Sequence, residues 1–196
     1  RPGDPNAEPS PMIHRNALLP GVVTLFGVFA FNGFMTFLPL YAREVGMSDA
    51  GLAFLVASAT MVLIRTTLGR FPDVVGPIRA GSGALVLTVG AMIVVALWAT
   101  PTGVVVGAAL VAAGLSLQSP SFIAIAVDGV SDRERGSAMA TFTAFYDVAG
   151  AIVGPMLGLI VTNAGYRPAF LTTAVLAAVG LILLHLVVAP RWSAAS

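Results

Sequence analysis

The chain has no cysteine and no lysine, and its 196 residues include only ten basic and nine acidic side chains. Without cysteine there are no disulfides, no thiolate metal sites and no cysteine nucleophile. The missing lysine leaves arginine as the only strong base, which points to GC-rich coding and carries no functional signal. A net charge of +1 offers neither a basic footprint for nucleic acid nor an acidic surface for a cationic partner. The scarcity is most extreme between Arg79 and Asp128. There about 48 consecutive residues carry no charge, and only the turn Ala99-Thr-Pro101-Thr-Gly103 interrupts them.

What fills that space is apolar. Hydrophobic residues make up 57% of the chain and the mean hydropathy is +0.93, outside the range of soluble globular domains. At about 1.5 Å per helical residue, each half of the uncharged stretch is long enough to cross a hydrocarbon core about 30 Å thick. The same test along the whole chain finds six apolar runs: Ala17 to Tyr41, Ser48 to Leu68, Ala80 to Ala99, Thr102 to Val127, Ser137 to Asn163 and Pro168 to Ala189. Inside a bilayer every backbone polar group must be satisfied within the protein, which leaves helices or closed barrels. No alternating ten-residue pattern of barrel strands is present. The predicted fold is therefore an all-α integral membrane protein with six transmembrane helices. The first apolar run is too long, and followed by too many others, to be a cleaved signal peptide.

Six crossings put both ends on one side of the membrane. Arg1, Arg15, Arg65, Arg70, Arg79, Arg133, Arg135 and Arg191 fall on that side, against Arg43 and Arg167 on the other. Positive residues favour the cytoplasm, so both termini are expected there, in a cell membrane of the inner or plasma type. The expected organisation is a cytoplasmic tail at 1–16, a transmembrane unit at 17–190 and a short cytoplasmic tail at 191–196. Pro2, Pro5, Pro9 and Pro11 give the first tail the character of an extended linker, as if the chain were a piece of a longer one.

Glycines at helical spacing, such as Gly107 with Gly114 and Gly150 with Gly154 and Gly158, allow close helix packing. Pro39 and Pro155 lie inside spans, where each removes a backbone donor and favours a kink. In the polar gap from Gly69 to Arg79, glycines at both ends favour a tight connection. Asp73 could there accept hydrogen bonds from a helix N-terminus or pair with a nearby arginine, or simply be solvated. Asp147 is the one carboxyl group deep in a span, roughly 15 Å from the cytoplasmic end. An ionised group at that depth is costly and normally faces a polar cavity, so Asp147 is the leading candidate for proton coupling or for binding a cation; a purely structural hydrogen bond, to Tyr146 or beyond this chain, is the alternative. Asn32 and Gln118 are further cavity candidates, with Tyr146 beside the carboxyl group and Phe31, Phe34 and Phe37 as an apolar lining. Arg65 fits an anchor that snorkels to the surface.

The pattern Gly69-x-x-x-Asp73-x-x-Gly76-x-x-Arg79 between a second and a third span resembles the cytoplasmic loop signature of the major facilitator superfamily. Val74 and Pro77 stand where that signature usually has basic residues, so a latch built on it is weakened. The six-span layout, Arg65 one turn before the loop, and Asp132-Arg133-Glu134-Arg135-Gly136 ahead of the fifth span agree with the resemblance. It implies one half of a twelve-helix transporter, built of two inverted three-helix repeats at about Ala17 to Ala99 and Thr102 to Ala189. The proline-rich start resembles a central linker, which makes this the C-terminal half and the absent N-terminal six-helix half its partner. The resemblance implies a conformational latch at Gly69, Arg70, Asp73, Gly76 and Arg79, with Arg65, Arg133 and Arg135. Gly150-x-x-x-Gly154-Pro155-x-x-Gly158 is similar to the antiporter signature of the same family, although it falls in the other half and lacks the last glycine.

The implied function is secondary active transport of a small molecule by alternating access, with proton-coupled efflux of a drug or metabolite ahead of sugar or metabolite uptake. Its partners would be the lipid bilayer, a small solute and protons, with no nucleic acid, cofactor or metal. Two readings of other classes stand beside it. One is a non-transporting scaffold or channel subunit. The other is an intramembrane serine protease using Ser116 and His185, for which nothing evident would orient the histidine as a base.

Overall fold

Each apolar run becomes a helix whose ends follow from local sequence. The computed structural model describes residues 14–190 and Trp192. The expected tails, up to residue 13 and from 191 onward apart from Trp192, lie outside the described residues. Helix α1 spans Arg15–Glu44, α2 Gly51–Leu68, α3 Phe71–Val75, α4 Pro77–Leu97, α5 Pro101–Val127, α6 Arg135–Ala164 and α7 Tyr166–Leu183, the last continuing through a π-helical turn at Leu184–Val188. All six long helices are long and apolar enough to cross a membrane.

The caps explain the boundaries. Asp49 accepts the backbone N–H of Gly51 at 2.6 Å and so starts α2 later than the apolar run. Thr100 accepts the N–H of Gly103 at 3.2 Å ahead of α5. Both α4 and α5 begin with proline, where the missing N–H would have had no helical partner anyway. The gap from Gly69 to Arg79 differs from the expected tight loop. Phe71–Val75 forms a short helix, and Arg79 sits in the first turn of α4. Gly76, at φ +89°, makes the sharp break between the two helices, a conformation that favours glycine. Prolines also lie inside helices at Pro20 and Pro120, in addition to Pro39 and Pro155.

The helix packing reveals the repeat that no residue pattern shows. The six most extensive helix pairs are α4 with α5, α1 with α6, α4 with α7, α2 with α5, α1 with α7 and α1 with α5. Exchanging α1 with α5, α2 with α6 and α4 with α7 maps this set onto itself. Each repeat crosses the membrane an odd number of times, so the second is inverted relative to the first. Helices α1 and α5 cross at the centre, α4 and α7 pack together behind them, and α2 and α6 flank them. The flanking helices are the least covered. Only 11% of the membrane window of α2 and 17% of that of α6 is buried, against 50% or more for α1, α4 and α5.

Small residues and aromatics set the contacts. A side chain at Gly107 would meet Val95, and one at Gly114 would meet Thr88 Oγ1 and the Ala84 carbonyl, so these glycines let α5 approach α4. Phe34, Phe122, Phe142 and Phe170 are fully buried. The Tyr41 hydroxyl donates to the Val95 carbonyl at 2.7 Å, joining α1 to α4. We therefore expect Gly114→Val to destabilise the bundle by about 1–3 kcal/mol through overpacking. Gly83→Ala, with nothing within 4 Å of the new methyl group, should be neutral or slightly stabilising. Thermal unfolding of both variants in detergent checks the contrast, and an unchanged Gly114→Val would remove the close approach as a stability determinant.

Candidate functional site

Asp147 lies twelve residues into α6, about 18 Å along the helix. Its side chain is exposed, on a face shared with Ala140, Thr143, Ala144, Gly150 and Ala151, all exposed as well. The carboxylate has neither ion pair nor hydrogen bond among the described residues. The Tyr146 hydroxyl, the expected structural partner, bonds elsewhere. It meets Ser119 Oγ of α5 at 2.9 Å. Because Ser119 donates its own proton to the Leu115 carbonyl at 3.1 Å, the tyrosine is the donor of that pair.

Asn32 of α1 belongs to the same neighbourhood. Its Nδ2 stands 3.7 Å from the position a Cβ on Gly150 would occupy, one turn beyond Asp147. Among the expected lining residues, Phe31 and Phe37 are partly buried, whereas Phe34 is core, edge-on to Phe170 with ring centroids 5.9 Å apart. Gln118 is also corrected. It is completely buried between α5 and α1, where Nε2 donates to the Thr24 carbonyl at 3.1 Å. Its amide fills the notch left by Gly27, so it faces no cavity. Gln118 Oε1 and Thr24 Oγ1 have no hydrogen-bond partner among the described residues. Sequence reasoning missed Thr24, Gly27 and Ser119, because a glycine notch and its filler lie far apart in the chain with no shared period.

The loop motif is assembled but not closed. Asp73 is exposed in the first turn of α3 and has no ion pair among the described residues. The ion pair found among the described residues joins Arg135, the first residue of α6, to Asp132 of the preceding loop at 3.4 Å. The expectation that Asp73 meets a cytoplasmic arginine of this chain is therefore not met: the short helix α3 turns its carboxylate outward. Gly69 has an ordinary helical backbone, but a Cβ there would strike the Arg65 carbonyl. Arg70, Arg79 and Arg133 are exposed. Arg65 is exposed too.

The antiporter-like glycines do not pack helices inside this chain. Gly154 faces open space, a Cβ added at Gly158 would make only an ordinary contact with Phe37 at 3.8 Å, and Pro155 is exposed. They leave α6 a smooth surface beside Asp147. A cavity of about 290 Å³ lies elsewhere, lined by Arg15, Leu19, Ile125, Asp128 and Trp192 among others. It shares no residue with the Asp147 face. The protease pair does not form. The Ser116 hydroxyl donates to the Ala112 carbonyl at 2.8 Å, and His185 Nε2 meets Ser82 Oγ at 3.0 Å instead.

Residues 21–196 match the family model described as Major Facilitator Superfamily. An uncharacterized MFS-type transporter of Salmonella typhimurium is 29% identical over 169 residues, covering 85% of this chain and 43% of its own length. The uncharacterized MFS-type transporter YhhS of Escherichia coli is 28% identical over 158 residues, covering 81% of this chain and 38% of its own length. The chain thus spans about two-fifths of the curated relatives it matches.

The absence of cysteine makes the site easy to probe with single thiols. Asp147→Cys should react with a water-soluble maleimide in the membrane-embedded protein, whereas Gln118→Cys should stay unmodified. An inert Asp147→Cys would place that face of α6 against lipid.

Proposed function

Because the chain belongs to the Major Facilitator Superfamily, we propose that it is the C-terminal six-helix half of a secondary active carrier. In this reading it moves a small molecule by alternating access, coupled to protons and directed outward. The observation that carries it is Asp147, an ionisable group at mid-depth on a helix face that this chain leaves uncovered. Such a group is costly against lipid and is retained where water, a solute or a second protein surface meets it. Asn32 and the Tyr146–Ser119 pair add polar groups on either side of it.

The mechanism follows from the packing. Helices α2 and α6 are held mainly by α5 and α1 and expose most of their surfaces. A second six-helix half would cover these faces and enclose Asp147 between the two. Proton binding at Asp147 would neutralise the carboxylate and let the halves close; deprotonation towards the other side would reopen them. Asp73, presented outward by α3, would accept hydrogen bonds from the partner half when the cytoplasmic side is shut. The arginine distribution supports cytoplasmic termini in a cell membrane. The smooth α6 surface around Gly150, Gly154 and Pro155, similar to the antiporter signature, supports export.

Two variants of the complete carrier test this. Asp147→Asn should leave membrane insertion intact but abolish coupling of solute movement to an imposed proton gradient, as read by pH-jump assays in proteoliposomes. Coupling that survives removes Asp147 from the mechanism, and gradient-driven accumulation on the proton-rich side's opposite face would assign uptake. Asp73→Asn removes charge-assisted hydrogen bonds worth about 1.5–3 kcal/mol. The ratio of inward-open to outward-open states should then move by about tenfold or more, measured by electron–electron distances across the cytoplasmic face. An unmoved distance distribution would discard the latch.

A further inference from the structure

The end of the bundle opposite the Gly69 to Arg79 gap carries a cavity that the transport reading does not use. It measures about 390 Å³ and is lined by Tyr41 and Glu44 of α1, Ala96 and Leu97 of α4, and Tyr166 and Arg167 at the start of α7, among others. It includes no residue of α2 and none of the exposed α6 residues around Asp147, so a second half docked on those faces would leave it open. Its aromatic side is rigid. Tyr41 is buried with its hydroxyl held by the Val95 carbonyl, and its ring centroid lies 5.3 Å from that of Tyr166 and 4.9 Å from that of Phe170.

Two charges of opposite sign line this cavity without meeting. Glu44 and Arg167 are both exposed, and neither forms an ion pair or a side-chain hydrogen bond among the described residues. The helix ends repeat that polarity. The carbonyls of Ala96 and Leu97, in the last turn of α4, accept no backbone N–H among the described residues, whereas the N–H groups of Tyr166 and Arg167 find no backbone acceptor there. One side of the cavity thus suits a cation and the other an anion.

Depth and a neighbouring groove narrow the choice of ligand. Helix α4 has 21 residues, about 32 Å, which matches a hydrocarbon core of about 30 Å and leaves Leu97 at its boundary. Glu44 is the last residue of α1 and Arg167 the second of α7, so both charges stand at the ends of their spans, at headgroup level. A second depression, of about 530 Å³, begins at the same Arg167 and Pro168 and follows α7 past Leu171 and Thr172 to Val175. The Thr172 hydroxyl is spent on the Pro168 carbonyl at 2.9 Å, so this groove presents mainly hydrocarbon.

We propose that cavity and groove together bind one phosphatidylethanolamine molecule, with its ammonium at Glu44, its phosphate at Arg167 and an acyl chain along Leu171 and Val175. The primary ammonium has three N–H donors for the carboxylate and the free α4 carbonyls, and the tyrosine rings beside it favour a cation. The guanidinium takes the phosphate in a charge-assisted fork. A choline headgroup has no N–H to give these oxygens, and a glycerol headgroup has no cation for Glu44. A soluble phosphoethanolamine would fill the cavity but leave the groove empty, so the groove selects the lipid.

Native mass spectrometry of the complete carrier released from nanodiscs tests this, with chain-matched phosphatidylethanolamine and phosphatidylglycerol as probes. The unaltered carrier should hold one phosphatidylethanolamine about fivefold or more tightly than phosphatidylglycerol. Glu44→Gln should bring the two affinities together, and Arg167→Gln should weaken both. Arg15→Gln, at an exposed position on the other end of the bundle, should change neither. Equal affinities in the unaltered carrier, or a preference that survives Glu44→Gln, overturn the site. Displacement of the bound lipid by millimolar glycerophosphoethanolamine would also overturn it, since the headgroup alone would then suffice.

Discussion

The bilayer offers no hydrogen bonds, and from that single constraint most of this molecule follows. Every apolar run has to close its own backbone as a helix. Once formed, the helices gain little from hiding hydrocarbon from hydrocarbon, so what joins them is fit and the few polar groups that can be shared. The seam between α4 and α5 shows the first, where Gly107 and Gly114 let Val95 and Thr88 come close. The crossing of α1 and α5 shows the second, where a buried glutamine amide reaches a backbone carbonyl through a gap that only glycine leaves. That crossing is the axis about which the two repeats are arranged.

The six membrane-spanning helices and their extents were legible in the sequence because they depend on length and hydropathy, which a linear chain displays directly; the family was legible through the loop pattern from Gly69 to Arg79. Asp147 was legible for a related reason: a charge inside an apolar run stands out without knowledge of its neighbours. What escaped depended on pairing across the fold. Gln118 looked like a cavity residue because nothing marks Gly27 as its receptacle, 91 positions earlier. Phe34 and Phe37 differ by less than one helical turn, yet one is core and the other half-open. The gap after α2 read as a loop because glycine and proline mark breaks. Here those same residues started and stopped a short helix.

The polar groups sort by where their partners are. Tyr41, Ser119, Tyr146 and Gln118 find theirs within the bundle and hold it together. Asp73 and Asp147 find none among the described residues, and both sit on surfaces that this chain leaves bare. A protein that folds with its carboxylates turned outward keeps its chemistry for whatever surface it meets.

The exchange between repeats also bears on biosynthesis. The middle helix of each repeat rests on the first helix of the other, α2 on α5 and α6 on α1. Neither set of three helices is a self-sufficient folding unit. Helix α6 enters the membrane with its support already in place, but α2 is finished about 60 residues before α5 is complete. At about 5–20 residues per second the ribosome leaves it waiting for several seconds. Its nearly all-apolar circumference, which buries only Ala53 and Ala57 even in the finished bundle, lets it stay in lipid alone for that interval.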